Sequence, residues 1–132
     1  MSDQTSPAQV ARAAMAAVQS GERETWLGLF AEDARVEDPV GHLPPIEGRE
    51  ALAQFWDQGI AVLDSVGFEV TREWETADEA MLLATVTVSA PGGASTSYDG
   101  TFNYAIGTEG TISSLRAFWD LPAVGAAMSA QQ

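Results

Sequence analysis

The chain has 132 residues, 45% of them hydrophobic, and its 19 acidic and six basic side chains give a formal net charge of −13. Such a surface repels nucleic-acid phosphates and anionic membranes, and the absence of Cys and Lys removes disulfides, thiolate chemistry, Schiff bases and a P-loop lysine. One histidine, His42, is too few for a multi-histidine metal site, though composition leaves a carboxylate-only Mg²⁺ or Ca²⁺ site open; carboxylates, Tyr, Trp, Arg and the one His carry what chemistry there is, and we expect neither metal nor cofactor.

Taken in chain order, Ser6-Pro7 starts a helix, with Ser6 as cap and Pro7 at the first helical position. Val10, Ala13, Ala14, Ala17 and Val18 recur at helical spacing up to Gly21. A short second helix carries Trp26, Leu29 and Phe30 on one side. Ala34 to Asp38 reads as a strand stopped by Pro39, and Gly41 to Gly48 as a loop. A third helix is expected from about Arg49 to Leu63, with Leu52, Phe55, Trp56, Ile60 and Leu63 as its apolar stripe.

Strands fill the rest. Val66 to Trp74 alternates, with Phe68, Val70, Arg72 and Trp74 in one phase. Ala80 to Ala90 is a β-branched run closed by Pro91-Gly92-Gly93. Thr96 to Ile106 places Tyr98, Phe102, Tyr104 and Ile106 on one face and Ser97, Asp99, Thr101 and Asn103 on the other. Thr111 to Asp120 is the last strand, with Leu115, Ala117 and Trp119 in phase, and the segment after Pro122 is expected to fray. Helices first and antiparallel strands after make an α+β architecture: three N-terminal helices on a curved, mostly antiparallel sheet that encloses a pocket, in a single domain over residues 1–132. Met1 to Gln9 lacks a basic segment and an apolar segment, so a cytoplasmic location is expected.

Asp38 is the sharpest chemical signal. Val36 and Asp38 share a strand face, and a carboxylate that follows Val36 inward must be satisfied or used. On spacing alone it either accepts backbone bonds in the Asp-Pro turn or serves a buried site.

Phe30-Ala31-Glu32-Asp33-Ala34-Arg35-Val36-Glu37-Asp38-Pro39-Val40-Gly41 resembles the segment that carries the catalytic aspartate in bacterial steroid Δ5-isomerases of the NTF2-like superfamily, which also holds SnoaL-type polyketide cyclases. Gln19-Ser20-Gly21-Glu22, Gly48-Arg49-Glu50-Ala51-Leu52 and Ser114-Leu115-Arg116-Ala117-Phe118-Trp119 fit the same pattern in order. The resemblance implies a cone-shaped NTF2-like fold, with Asp38 as a general base that moves a proton on a hydrophobic, steroid- or polyketide-like substrate. It also implies an oxyanion hole of one Tyr and one protonated Asp, but Ala14 and Phe102 occupy those positions here.

Tyr104 is the best replacement donor, and Tyr98, the Trp indoles and His42 are further candidates. Phe55, Trp56, Phe102, Phe118 and Trp119 are expected to form the pocket wall, with Ala14 and Val40 beside it. Polyether epoxide hydrolase/cyclases resemble the chain too, including Leu43-Pro44-Pro45 after the Glu-Asp-Pro-Val-Gly run, and Asp64 is the nearby second carboxylate. The alternatives are thus an epoxide hydrolase/cyclase and a non-catalytic small-molecule binding module. The resemblance further implies a homodimer through the convex sheet face.

Overall fold

The computed structural model describes residues 5–131; the N-terminal reading over residues 1–4 lies outside them. Helix α1, Pro7–Ser20, is fixed at both ends by its sequence. Ser6 and Gln9 exchange side chain-to-backbone bonds in a capping box, and Gly21 at φ +70° ends the helix in the left-handed region. A short α2, Arg23–Gly28, leads into strand β1, Phe30–Glu37. The expected loop contains a two-residue strand, β2, Ile46–Glu47, paired to β1.

Helix α3 is shorter than its apolar stripe suggests. It runs Arg49–Phe55 and passes into a π-helical turn, Trp56–Ile60. Four strands come after it: β3 Ser65–Glu75, β4 Glu79–Ser89, β5 Ser95–Ile106 and β6 Ile112–Phe118. The six strands form one sheet in the order β2-β1-β6-β5-β4-β3. Its pairs are antiparallel except β1 with β6, so the sheet is mixed.

The segment expected to fray forms a fourth helix, α4, Leu121–Ser129. Asp120 caps it by accepting a bond from Ala123 N at 3.0 Å. The fold is therefore α+β with four helices rather than three. Among the described residues no helix is long and apolar enough to cross a membrane.

Alternation divides the sheet cleanly. In β4, Ala80, Leu82, Ala84, Val86 and Val88 are buried on the concave side. Val36, Phe102, Tyr104, Leu115 and Ala117 join them there. The convex side carries Thr85, Asp99 and Thr101, and Thr85 donates to Asp99 at 2.7 Å.

Strand β3 breaks the pattern. A bulge between Val70 and Arg72 inserts Thr71 and reverses the phase of the residues beyond it. Arg72 and Trp74, expected on the inner face with Phe68, instead stand opposite Leu83 and Met81 on the convex side. The Arg72 guanidinium lies over the Trp74 ring at 5.0 Å. The same slip brings Glu73 and Glu75 to α1, where Arg12 pairs with Glu73 at 2.7 Å and Ala8 N donates to Glu75 at 2.9 Å. A carboxylate at the start of α1 complements the helix dipole.

Candidate active site

Between the concave sheet face and the helices lies a cavity of about 300 Å³, at the small end of the range for small-molecule sites. Its wall is largely apolar. Strands contribute Phe68, Val86, Val88 and Phe102, the helical side contributes Met15, Trp26 and Phe55, and α4 contributes Val124 and Met128. Among the described residues Asp38 is the one carboxylate on this wall.

Three aromatic residues carrying polar groups surround it. Trp119 Nε1 donates to Asp38 Oδ1 at 2.6 Å. The Trp119 ring packs on Tyr98 with centroids 5.0 Å apart. Tyr104, 4% exposed, also faces the cavity. Both phenols line the cavity, where a ligand can reach them.

Asp38 is half-buried, and the wall around it is apolar. Burial pushes the Asp38 carboxyl above the ordinary carboxylate range, and the bond from Trp119 opposes this in part. Burial likewise raises the Tyr98 and Tyr104 phenols, and the nearby Asp38 charge raises them further. The phenols therefore stay protonated and act as hydrogen-bond donors. A carboxylate in such a setting is a stronger proton acceptor than one in water, which is the property a general base needs.

Local sequence explains why these groups meet. The parity of Ala34 and Val36, both fully buried, carries the chain inward at Asp38. The Asp38–Pro39 peptide is cis, and Val40 N then binds Ala117 O at 2.8 Å, which ties the turn to β6. Trp119 reaches Asp38 because β5 offers a glycine where the chain leaves β6. A Cβ on Gly100 would lie 3.0 Å from Phe118 O and 3.3 Å from the Trp119 Cβ. Gly100 is in regular register opposite Ala84, so Asp99 stays on the convex face.

The cavity brings together six of the residues singled out from sequence: Asp38, Phe55, Tyr98, Phe102, Tyr104 and Trp119. Five lie elsewhere. Phe118 is 40% exposed on the convex face, under Arg116, because it alternates with Ala117 and Trp119. Trp56 is buried behind Trp26, with ring centroids 5.4 Å apart. Ala14 is sealed within the core, Val40 is half-buried in the turn, and His42 is exposed. Asp64 is exposed and outside the cavity wall, and Arg72 faces away from it. Sequence reasoning misses Trp26 and the α4 residues. The α4 signal is present as Asp120 and Pro122, an acidic cap followed by a proline in the first turn.

Comparisons with known proteins agree with this geometry. A SnoaL-like domain model matches residues 11–115. Epoxide hydrolase LasB of Streptomyces lasalocidi is 37% identical over 109 residues, which cover 77% of this chain; the chain spans just over a third, 37%, of that relative's length. Among solved structures, the Δ5-3-ketosteroid isomerase of a Mycobacterium species superposes with a TM-score of 0.83 at 29% identity, covering 90% of this chain and 97% of that one. RV0760c of Mycobacterium tuberculosis, solved in complex with estradiol-17beta-hemisuccinate, gives 0.82 at 28% identity over 89% and 97% of the two chains. With a family model covering most of its length and a matching fold, the chain belongs to the SnoaL-like domain family of the NTF2-like superfamily.

Proposed function

We propose that the protein is a ketosteroid isomerase-like enzyme in which Asp38 moves a proton on a neutral, hydrophobic ketone. The observation that carries this reading is one carboxylate, raised above its usual range by burial, in an apolar cavity beside two protonated phenols. Asp38 takes a proton from the carbon between a ketone and an isolated C=C bond. The electron pair moves into a dienolate, whose oxygen is held by the Tyr104 hydroxyl in place of the missing donors at Ala14 and Phe102. Protonated Asp38 then returns the proton two carbons away, giving the conjugated enone. Trp119 orients the carboxylate through its indole N–H.

The test is direct. A β,γ-unsaturated ketosteroid is supplied and the enone's ultraviolet band is followed. Conversion by the native protein and its loss in Asp38→Asn support the proposal. Equal rates in both proteins overturn it, and rates no faster than the uncatalysed reaction leave a module that binds without catalysis.

The similarity to LasB favours a second reading, epoxide opening or cyclisation. That chemistry pairs a base with an acid able to release a proton to the epoxide oxygen. Phenols pushed above their ordinary range are poor acids, and Asp64 stands outside the cavity. The isomerase reading therefore ranks first. Conversion of a hydroxy-epoxide, but not of the ketosteroid, would reverse the order.

We also propose that the protein is a homodimer through the convex sheet face. Trp74, Met81 and Phe118 are each at least 40% exposed there. Light scattering should report twice the chain mass, and Trp74→Glu should return it to that of a monomer.

A further inference from the structure

α4 is a lightly held wall of the cavity. None of its nine residues is fully buried, yet Val124 and Met128 face the cavity. A helix this short is marginal in water on its own. Gly125 near its centre weakens it further, by roughly 1 kcal/mol relative to alanine. Small residues fill most of its outer side, so little packing makes up the difference.

Its ends are what hold it. The Asp120 cap anchors the start. At the other end one side chain, Gln131, grips the backbone of β5. Its Oε1 accepts from Ser95 N at 3.0 Å, and its Nε2 donates to Ser95 O at 2.7 Å and to Ala127 O at 2.9 Å. Pairing of β5 with β6 spans Thr101 to Ile106, so Ser95 lies beyond the reach of β6. The glutamine amide bonds Ser95 as a neighbouring strand would.

We infer that α4 is a movable wall of the cavity, latched shut by the Gln131 amide, and that Val124 and Met128 set how bulky a ligand the closed cavity holds. This rests on the cavity being the ligand site. The sheet walls and α1 cannot yield without breaking strand ladders or exposing core residues such as Ala11 and Leu82, both fully buried. α4 opens by giving up the clasp and a few half-buried contacts, which places it among the walls of low opening free energy. Leu43, 44% exposed at the cavity, marks the rim where the ligand enters.

Two substitutions act in opposite directions. Gln131→Ala removes the clasp from an exposed position, and Gly125→Ala strengthens the helix where the surrounding space is open. Hydrogen exchange should be about tenfold faster at the amides of residues 124–130 in Gln131→Ala, slower in Gly125→Ala, and unchanged in the sheet. Estradiol and estradiol-17beta-hemisuccinate serve as compact and extended probes, followed by tryptophan fluorescence in rapid mixing. Gln131→Ala should speed both entry and release of estradiol. It should also shift relative affinity toward the hemisuccinate by up to about tenfold, and Gly125→Ala should move both readings the other way. Unchanged exchange and unchanged rates, with binding intact, overturn the latch alone. Failure of both probes to bind any variant overturns the cavity as ligand site, and with it the role of its wall.

Discussion

Glu37 and Asp38 are neighbours of the same charge, and the fold sends them into opposite environments. Glu37 turns to the convex side, where its carboxylate accepts bonds from Arg35 and Arg116, each at 3.0 Å. Asp38 turns to the concave side, where the indole of Trp119 is a neutral partner and no cation lines the wall among the described residues. Period-two alternation at the end of β1 is enough to separate them. One carboxylate, 13% exposed, is held by two arginines; the other keeps its reactivity because nothing of opposite charge neutralises it. The same division runs through the sheet, with Arg35, Arg72 and Arg116 on the outer face.

The largest effect should come from removing the inner carboxylate. Asp38→Asn keeps an acceptor for the Trp119 N–H but cannot take a proton, and should lower isomerase turnover by roughly 10²–10⁴-fold. Stability should move the opposite way. Because the folded Asp38 titrates above the unfolded value of about 3.9, the folded chain binds more protons between those two pH values, and stability falls as pH rises through that window. Asp38→Asn should therefore melt higher than the native protein at neutral pH, and the gain should vanish below about pH 3.9; thermal unfolding at both pH values reads it.

Next in size is Tyr104→Phe, which removes the expected oxyanion donor without emptying the cavity. Steady-state kinetics should show kcat lower by about 10²-fold with KM little changed. Gly100→Ala tests how the inner carboxylate is positioned. The added methyl meets backbone at 3.0 Å, so Trp119 must shift. We expect a loss of about 1–3 kcal/mol in denaturant unfolding, together with slower turnover.

The smallest effect belongs to the outer carboxylate. Glu37→Gln weakens two ion pairs whose arginines are about half exposed and whose carboxylate is 13% exposed, and should cost on the order of 1 kcal/mol, and less in high salt. Its turnover should stay within about twofold of native, and a large loss would erase the contrast between the two acids.

Most of this division is legible in the sequence. Val36 and Asp38 share parity, β5 alternates without interruption, and Ser6, Pro7 and Gly21 mark the ends of α1. The features that escape it depend on tertiary detail. Nothing local announces the extra residue at Thr71, so alternation alone puts Arg72 and Trp74 on the wrong face. The stripe from Leu52 to Leu63 continues through a change of helix type that side-chain spacing does not register. Aromatic character suggests a wall position for Phe118, against its own parity with Ala117. α4 reads as a loose tail because its residues are small and its hold is the distant clasp between Gln131 and Ser95.

The central claim is that Asp38 titrates high because its surroundings are apolar and hold no cation, and a carboxyl ¹³C titration with labelled aspartate, assigned by comparison with Asp38→Asn, tests it most directly. The account predicts that the resonance lost in the variant titrates well above the surface aspartates in the native protein. A midpoint at or below about 3.9, the value of an aspartate in water, would contradict it.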